Sequence, residues 1–82
     1  MSKDYRIYME EINDHPEGFS CGAGRRIHSA FFRTDDEDEA DVYDDVNAVL
    51  FAAEYRNYGY PCRIVPEIPM ERRLEILEGG IA

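Results

Sequence analysis

The sequence predicts an α+β fold, a small antiparallel sheet packed by one main amphipathic helix, on three observations. Tyr5, Ile7 and Met9 alternate with Arg6, Tyr8 and Glu10, the period of two that a half-buried strand requires. From Arg25 to Arg33 the alternation returns, with Ile27, Ser29 and Phe31 set against His28, Ala30 and Phe32. Between Val42 and Ala53 the apolar period changes to that of a helix. The implied order is ββαβα: three strands, the first two antiparallel, one long helix, and a short C-terminal helix.

The first strand spans Tyr5 to Ile12. A turn-rich stretch, Asn13 to Gly18, and a glycine-bearing loop, Phe19 to Gly24, then lead into the second strand. Thr34-Asp35-Asp36-Glu37 fits a capping box, in which a Thr hydroxyl and a Glu carboxylate satisfy open amides at a helix start, so the main helix is expected to run from there to about Tyr58. Val42, Val46, Val49, Leu50 and Ala53 fall on one stripe of it, the side expected to face the sheet. Phe51, Tyr55 and Tyr58 form a second apolar stripe almost opposite, expected to be covered by the C-terminal segment or by a partner. Gly59 is a plausible stop. Tyr60 to Val65 reads as the third strand, with Pro61 placing it at an edge or a strand start. Pro66 and Pro69 break the chain, and Pro69 opens a short helix carrying Met70, Leu74 and Leu77 on one side, ended by Gly79-Gly80.

At 82 residues the chain is expected to be a single domain, 1–82. A domain of this size buries only about 60% of the surface its unfolded chain exposes, so its core is modest. Eighteen acidic residues against nine basic ones give a formal charge of -9, which disfavours direct binding to nucleic acid or to an anionic membrane. The negative charge is concentrated. Eight of the eleven residues from Asp35 to Asp45 are acidic, and no Lys or Arg lies between Arg33 and Arg56. Acids near a helix start are favoured by the dipole, but that effect fades after the first turn, before Asp41, Asp44 and Asp45. On the expected helix Glu37, Asp38, Asp41, Asp44 and Asp45 form an outward negative ridge. Within it Glu37, Asp41 and Asp45, four residues apart, form a row spaced about 6 Å along the axis, the scale of a phosphate backbone. Such a ridge competes for the Lys and Arg that hold phosphates. A plain solvated face is the competing reading of the same residues.

The run from Thr34 to Asp45, the small size and the acidic composition resemble the small phage-encoded inhibitors of anti-CRISPR and antirestriction type. That resemblance implies a non-enzymatic inhibitor of a nucleic-acid-binding complex, acting in the host bacterial cytoplasm without a cofactor. The expected partner is a basic protein surface, gripped by the five ridge acids with Phe51, Tyr55 and Tyr58 as apolar anchors. The alternative is a homodimeric assembly module joined through the aromatic stripe, its acids serving solubility.

Other chemistry has less support in the sequence. Cys21 with His15 or His28 forms a thiol-imidazole combination, which keeps a cysteine enzyme as a third reading. Neither C-x-x-C nor H-x-x-x-H spacing is present for zinc. As a calcium loop starting at Asp36, the run places Asp41 where Gly is needed and Asn47 where Glu is needed. The segment Gly18 to Arg26 has glycines and two Arg for an anion cradle but lacks the P-loop ending. No stretch approaches the roughly 20 apolar residues of a membrane span, and the N-terminus carries no secretory leader pattern, so a cytoplasmic protein with unbridged Cys21 and Cys62 is expected.

Overall fold

Arg6–Met9 forms β1, with Ile7 and Met9 buried and Arg6 and Tyr8 turned to the other face, as the alternation requires. The computed structural model describes residues 4–12, 16–21 and 33–79. Within them the sheet has four antiparallel strands rather than three: β1, β2 (Gly18–Ser20), β3 (Arg33–Thr34) and β4 (Cys62–Val65), in the spatial order β3-β2-β1-β4. Tyr8 pairs with Phe19 on one side and Arg63 on the other, and Phe19 pairs with Thr34. The α+β class holds; the element order becomes βββαβα. The added strand is β2, within a stretch whose glycines suggested a loop. Gly18 suits it because a Cβ there would meet the Thr34 carbonyl oxygen at 3.0 Å, so the close β2–β3 approach needs glycine. Of the expected second strand, Arg25 to Arg33, only Arg33 lies among the described residues.

The main helix, α1 (Asp45–Asn57), begins ten residues later than the capping box implied. Thr34 does not cap it: its Oγ1 accepts from the Asp36 amide at 3.0 Å and donates to Glu39 Oε1 at 2.9 Å. The Asp36 carboxylate in turn accepts from the Asp38 amide. Short polar side chains that bond their own backbone stabilise turns in competition with helix, and carboxylates four apart repel on a helix, so residues 35–39 fold as a turn. Residues 41–43 then run extended beside the sheet, with the Asp41 amide bonded to the Ser20 carbonyl and Tyr43 bridged to Tyr5 through two 2.8 Å hydrogen bonds. Asp44 is the actual N-cap, its carboxylate accepting from the Asn47 amide at 2.8 Å.

At the other end the expected stop is present. Gly59 has φ 89, its amide bonds to the Arg56 carbonyl, and the Tyr60 amide reaches back to Tyr55, the paired bonds of a Schellman motif. After β4 and the cis Val65-Pro66 peptide, α2 (Met70–Gly79) follows Pro69, whose carbonyl accepts from the Arg73 amide.

One face of the sheet and the helices enclose the core: Ile7, Met9, Cys62 and Ile64 from the strands, Ala48, Val49, Ala52 and Tyr55 from α1, then Ile68 and Ile76. Each fully buried aliphatic side chain contributes about 1.5–3 kcal/mol. The buried face of α1 is rotated from the expected stripe. Val49 is buried, but Val42, Val46 and Leu50 are 50%, 40% and 38% exposed, because the small Ala48 and Ala52 let the helix lie close to the strands on that side. The opposite face of the sheet carries Tyr8, whose ring meets Phe19 edge-on at 5.1 Å and lies 4.5 Å beneath the Arg63 guanidinium.

Candidate functional site

The acidic run is a surface turn followed by an extended strand-like segment, not a helical ridge. Asp35, Asp36, Glu37, Asp38 and Glu39 are all exposed on the turn. Their backbone is fixed at several points. The Glu39 amide bonds to the Asp36 carbonyl, Arg6 Nε donates to the Glu37 carbonyl at 2.9 Å, and the buried Ala40 anchors the end of the turn. Among the described residues the turn's one ion pair is Arg6 with Glu37 at 3.6 Å, with the Glu37 side chain 65% exposed. A pair so exposed contributes little and leaves the carboxylate available to solvent.

The three later acids of the expected ridge are diverted to structural uses. Asp41 accepts from the Tyr43 hydroxyl at 3.4 Å, Asp44 caps α1, and Asp45 accepts from Arg72 Nε at 2.9 Å. The hydrogen bond from Arg72 holds the Asp45 carboxyl below its ordinary range, and Arg72 also pairs with Glu75. Glu37 and Asp38 therefore stay together at the surface, whereas Asp41, Asp44 and Asp45 do not join them in one row.

The aromatic anchors separate as well. Tyr55 is 3% exposed and belongs to the core, Phe51 is partly buried with its ring 5.1 Å from that of Tyr43, and only Tyr58, at 47%, is exposed. Among the described residues the C-terminal segment does not lie over this stripe. α2 lies along the Val46, Val49 and Ala53 side of α1 instead, with Ile76 inserted into the core. This leaves Met70, Leu74 and Leu77 at 65%, 51% and 38% exposure.

A second surface feature has the opposite charge. At the β4 edge a cleft of about 280 Å³ is lined by Arg56, Arg63 and Arg73, with Glu67 and a floor of Ile64 and Ile68. It adjoins an apolar groove of about 180 Å³ between the helices that shares Arg56, Ile64 and Arg73 and adds Met70, Leu74 and Leu77. Arg56 donates to the Cys62 carbonyl at 3.1 Å, whereas the Arg63 guanidinium lies over Tyr8 on the other face of the sheet and so does not join Arg56 and Arg73 in the cleft. The buried Arg73 Nε has no acceptor. Sequence reasoning missed this group because its members come from the end of α1, from β4 and from α2, at no local spacing. The one signal was that Arg56, Arg63, Arg72 and Arg73 all fall in the C-terminal part of the chain, away from the acidic run.

Cys21 and Cys62 are unbridged thiols. Burial, with the charges of Asp41 and Glu39 added, pushes the Cys21 thiol up, away from the thiolate a nucleophile needs. Its imidazole candidates, His15 and His28, lie outside the described residues, as do Arg25 and Arg26 of the anion-cradle reading. Among the described residues no group of His, Cys, Asp or Glu is placed to hold a metal ion, and no helix is long and apolar enough to cross a membrane. Comparison with family models, with curated proteins and with solved structures finds no match.

Proposed function

We propose that the chain is a non-enzymatic inhibitor that docks its acidic turn, residues 35–39, on a positively charged site of a nucleic-acid-binding protein. The observation that carries this reading is five consecutive exposed carboxylates on a backbone held by its own hydrogen bonds and by Arg6. Preorganisation matters, because a turn already fixed loses little conformational entropy on docking. Lys and Arg arranged for phosphates accept carboxylates through the same charge-assisted hydrogen bonds. The binding element is then a compact acidic corner, with Glu37 and Asp38 at its centre.

The test uses Asp35→Lys, Asp36→Lys and Asp38→Lys together, residues that are exposed and outside the core. Immobilised wild-type protein is expected to retain a partner from a bacterial lysate at low salt and to release it to added duplex DNA or RNA, because both compete for the same cations. The triple variant is expected to retain none of it while keeping the wild-type circular dichroism spectrum. Retention by the variant, or a partner indifferent to nucleic acid, rejects the reading.

A self-associating module is the second reading, now on different residues. Tyr55 is buried, so the aromatic stripe no longer supplies an interface, but Val46, Leu50 and Leu77 expose apolar surface on the two helices.

A further inference from the structure

We propose that the outer edge of β4 is a docking site for an extended acidic segment of a partner protein, which adds to the sheet as a further strand beside Ile64. The site is separate from the acidic turn and does not depend on it.

The backbone is the first support. Among the described residues β4 is the last strand of the sheet, with β1 on its inner side. The Pro61 carbonyl accepts from the Glu10 amide. By the alternation of an antiparallel ladder, residues 61, 63 and 65 therefore bond inward, and residues 62 and 64 point outward. The Cys62 carbonyl agrees with this, because its donor is Arg56 of α1 and not a residue of β1. Ile64 has no such donor: among the described residues neither its N–H nor its carbonyl is hydrogen-bonded. An open pair of this kind is a template for an added strand. Pro61 and Pro66, which have no N–H to offer, bound this edge on either side, so it suits a short segment.

Side chains then define the partner. A strand beside β4 presents alternate residues to the two faces of the sheet. On the helix face, the residue opposite Ile64 enters the cleft of about 280 Å³ floored by Ile64 and Ile68, which has room for one large aliphatic side chain. On the other face its neighbours lie opposite Val65 and opposite Arg63, whose guanidinium is held over Tyr8. Beside Cys62, on the helix face again, stands the exposed Arg56. Arg63 and Arg56 are thus on different faces, and an added strand delivers one carboxylate to each. In the antiparallel direction of the existing sheet the partner runs, from its N-terminal end, β-branched, aliphatic, acidic, acidic, facing Val65, Ile64, Arg63 and Cys62 in turn.

Charge selects a partner over a second copy. Arg56, Arg63 and Arg73 outnumber Glu10 and Glu67 along this edge. Charges beyond about 8 Å are largely screened at physiological salt, so this local sign prevails over the formal charge of -9. β4 against β4 would bring two net-positive edges together, and the acidic run of a second copy is already held in its own turn.

The experiment titrates the full chain, followed by amide-detected NMR, with the peptide acetyl-Ser-Thr-Ile-Glu-Glu-Ser-amide. Saturable shifts are expected at Arg63, Ile64, Val65 and Ile68, with slower hydrogen exchange of the Ile64 amide. Methylating the backbone nitrogen of the peptide's Ile removes the N–H that pairs with the Ile64 carbonyl, and is expected to weaken binding about tenfold. Replacing both Glu of the peptide by Gln is expected to weaken it about fivefold, and Arg63→Gln about threefold, the scale of exposed cross-strand charge pairs. Arg63 is exposed and outside the core, and the peptide changes leave the protein untouched, so folding does not confound the comparison. No saturable shift, an unchanged Ile64 exchange rate, or equal binding of the methylated peptide overturns strand addition. Equal binding of the Gln peptide, or of the parent peptide by Arg63→Gln, overturns the acidic partner. A doubled mass in sedimentation without peptide, with the same amides shifted as concentration rises, overturns it in favour of a second copy.

Discussion

Tyr55 contributes to the fold with most of its ring and is affected by pH through its hydroxyl. Burial first, with the charge of Asp41 added, pushes its phenol from 10.0 up to about 12, and burial pushes Tyr43 up as well. A group whose folded value is raised contributes stability that is complete below its unfolded value and is lost as pH climbs through the folded one. The alkaline loss therefore falls between pH 10 and about 12 for Tyr55. Absorbance of tyrosinate is expected to rise in two stages, the exposed phenols first and the last two together with loss of the far-ultraviolet signal. A single stage with the fold intact would mean that neither ring is buried. Cys62 follows the same logic: burial pushes its thiol up, and its Sγ lies 3.6 Å from the Ala52 carbonyl oxygen. The sequence supplied the identity of these residues. It did not reveal that Tyr55 points into the core, because a tyrosine is equally at home in a core or at an interface.

Among the elements, those closed by backbone chemistry were the most legible. Alternation placed Ile7 and Met9 inside β1, and Gly59 marked the end of α1. The glycine is there for its backbone, since an added Cβ meets nothing within 4 Å. Gly59→Ala is expected to destabilise by about 1 kcal/mol through the left-handed conformation alone, seen as a lower denaturant midpoint with an unchanged slope. A loss near zero would show that the cap tolerates a side chain. The start of α1 was not legible. Thr34 to Glu37 satisfies the sequence pattern of a cap, but Thr34 bonds to Asp36 and Glu39, while Tyr43 pairs with Tyr5 some forty residues away in sequence. That long-range bridge satisfies the backbone of Tyr43 on the sheet, and the acids before it favour a turn. The buried face also differs from the expected stripe: Ala48, Ala52 and Tyr55 are inside, while Val46 and Leu50 are exposed and Val42 lies before the helix.

At the scale of the whole molecule the acidic turn and the arginine cleft are separate charged surfaces, each built from residues the other does not use. The helices add a third, apolar surface. If it joins two copies, sedimentation at rising concentration is expected to show a doubled mass that Leu50→Asp returns to the monomer; a monomer at all concentrations removes the self-association reading. Leu50 is 38% exposed, so this substitution tests contact with a partner at modest cost to folding. By itself the sequence determined the α+β class, the inward residues of β1, the end of α1 and the concentration of negative charge between Asp35 and Asp45, because period, glycine and charge act over a few residues. Only the tertiary structure decided that the acids form a turn rather than a ridge, that Tyr55 is core, and that Arg56 and Arg73 border one cleft over Ile64 and Ile68. Those outcomes depend on which distant segments meet, and the contacts that settle them, Tyr5 with Tyr43, β4 with α1 and α1 with α2, leave no local pattern in the chain.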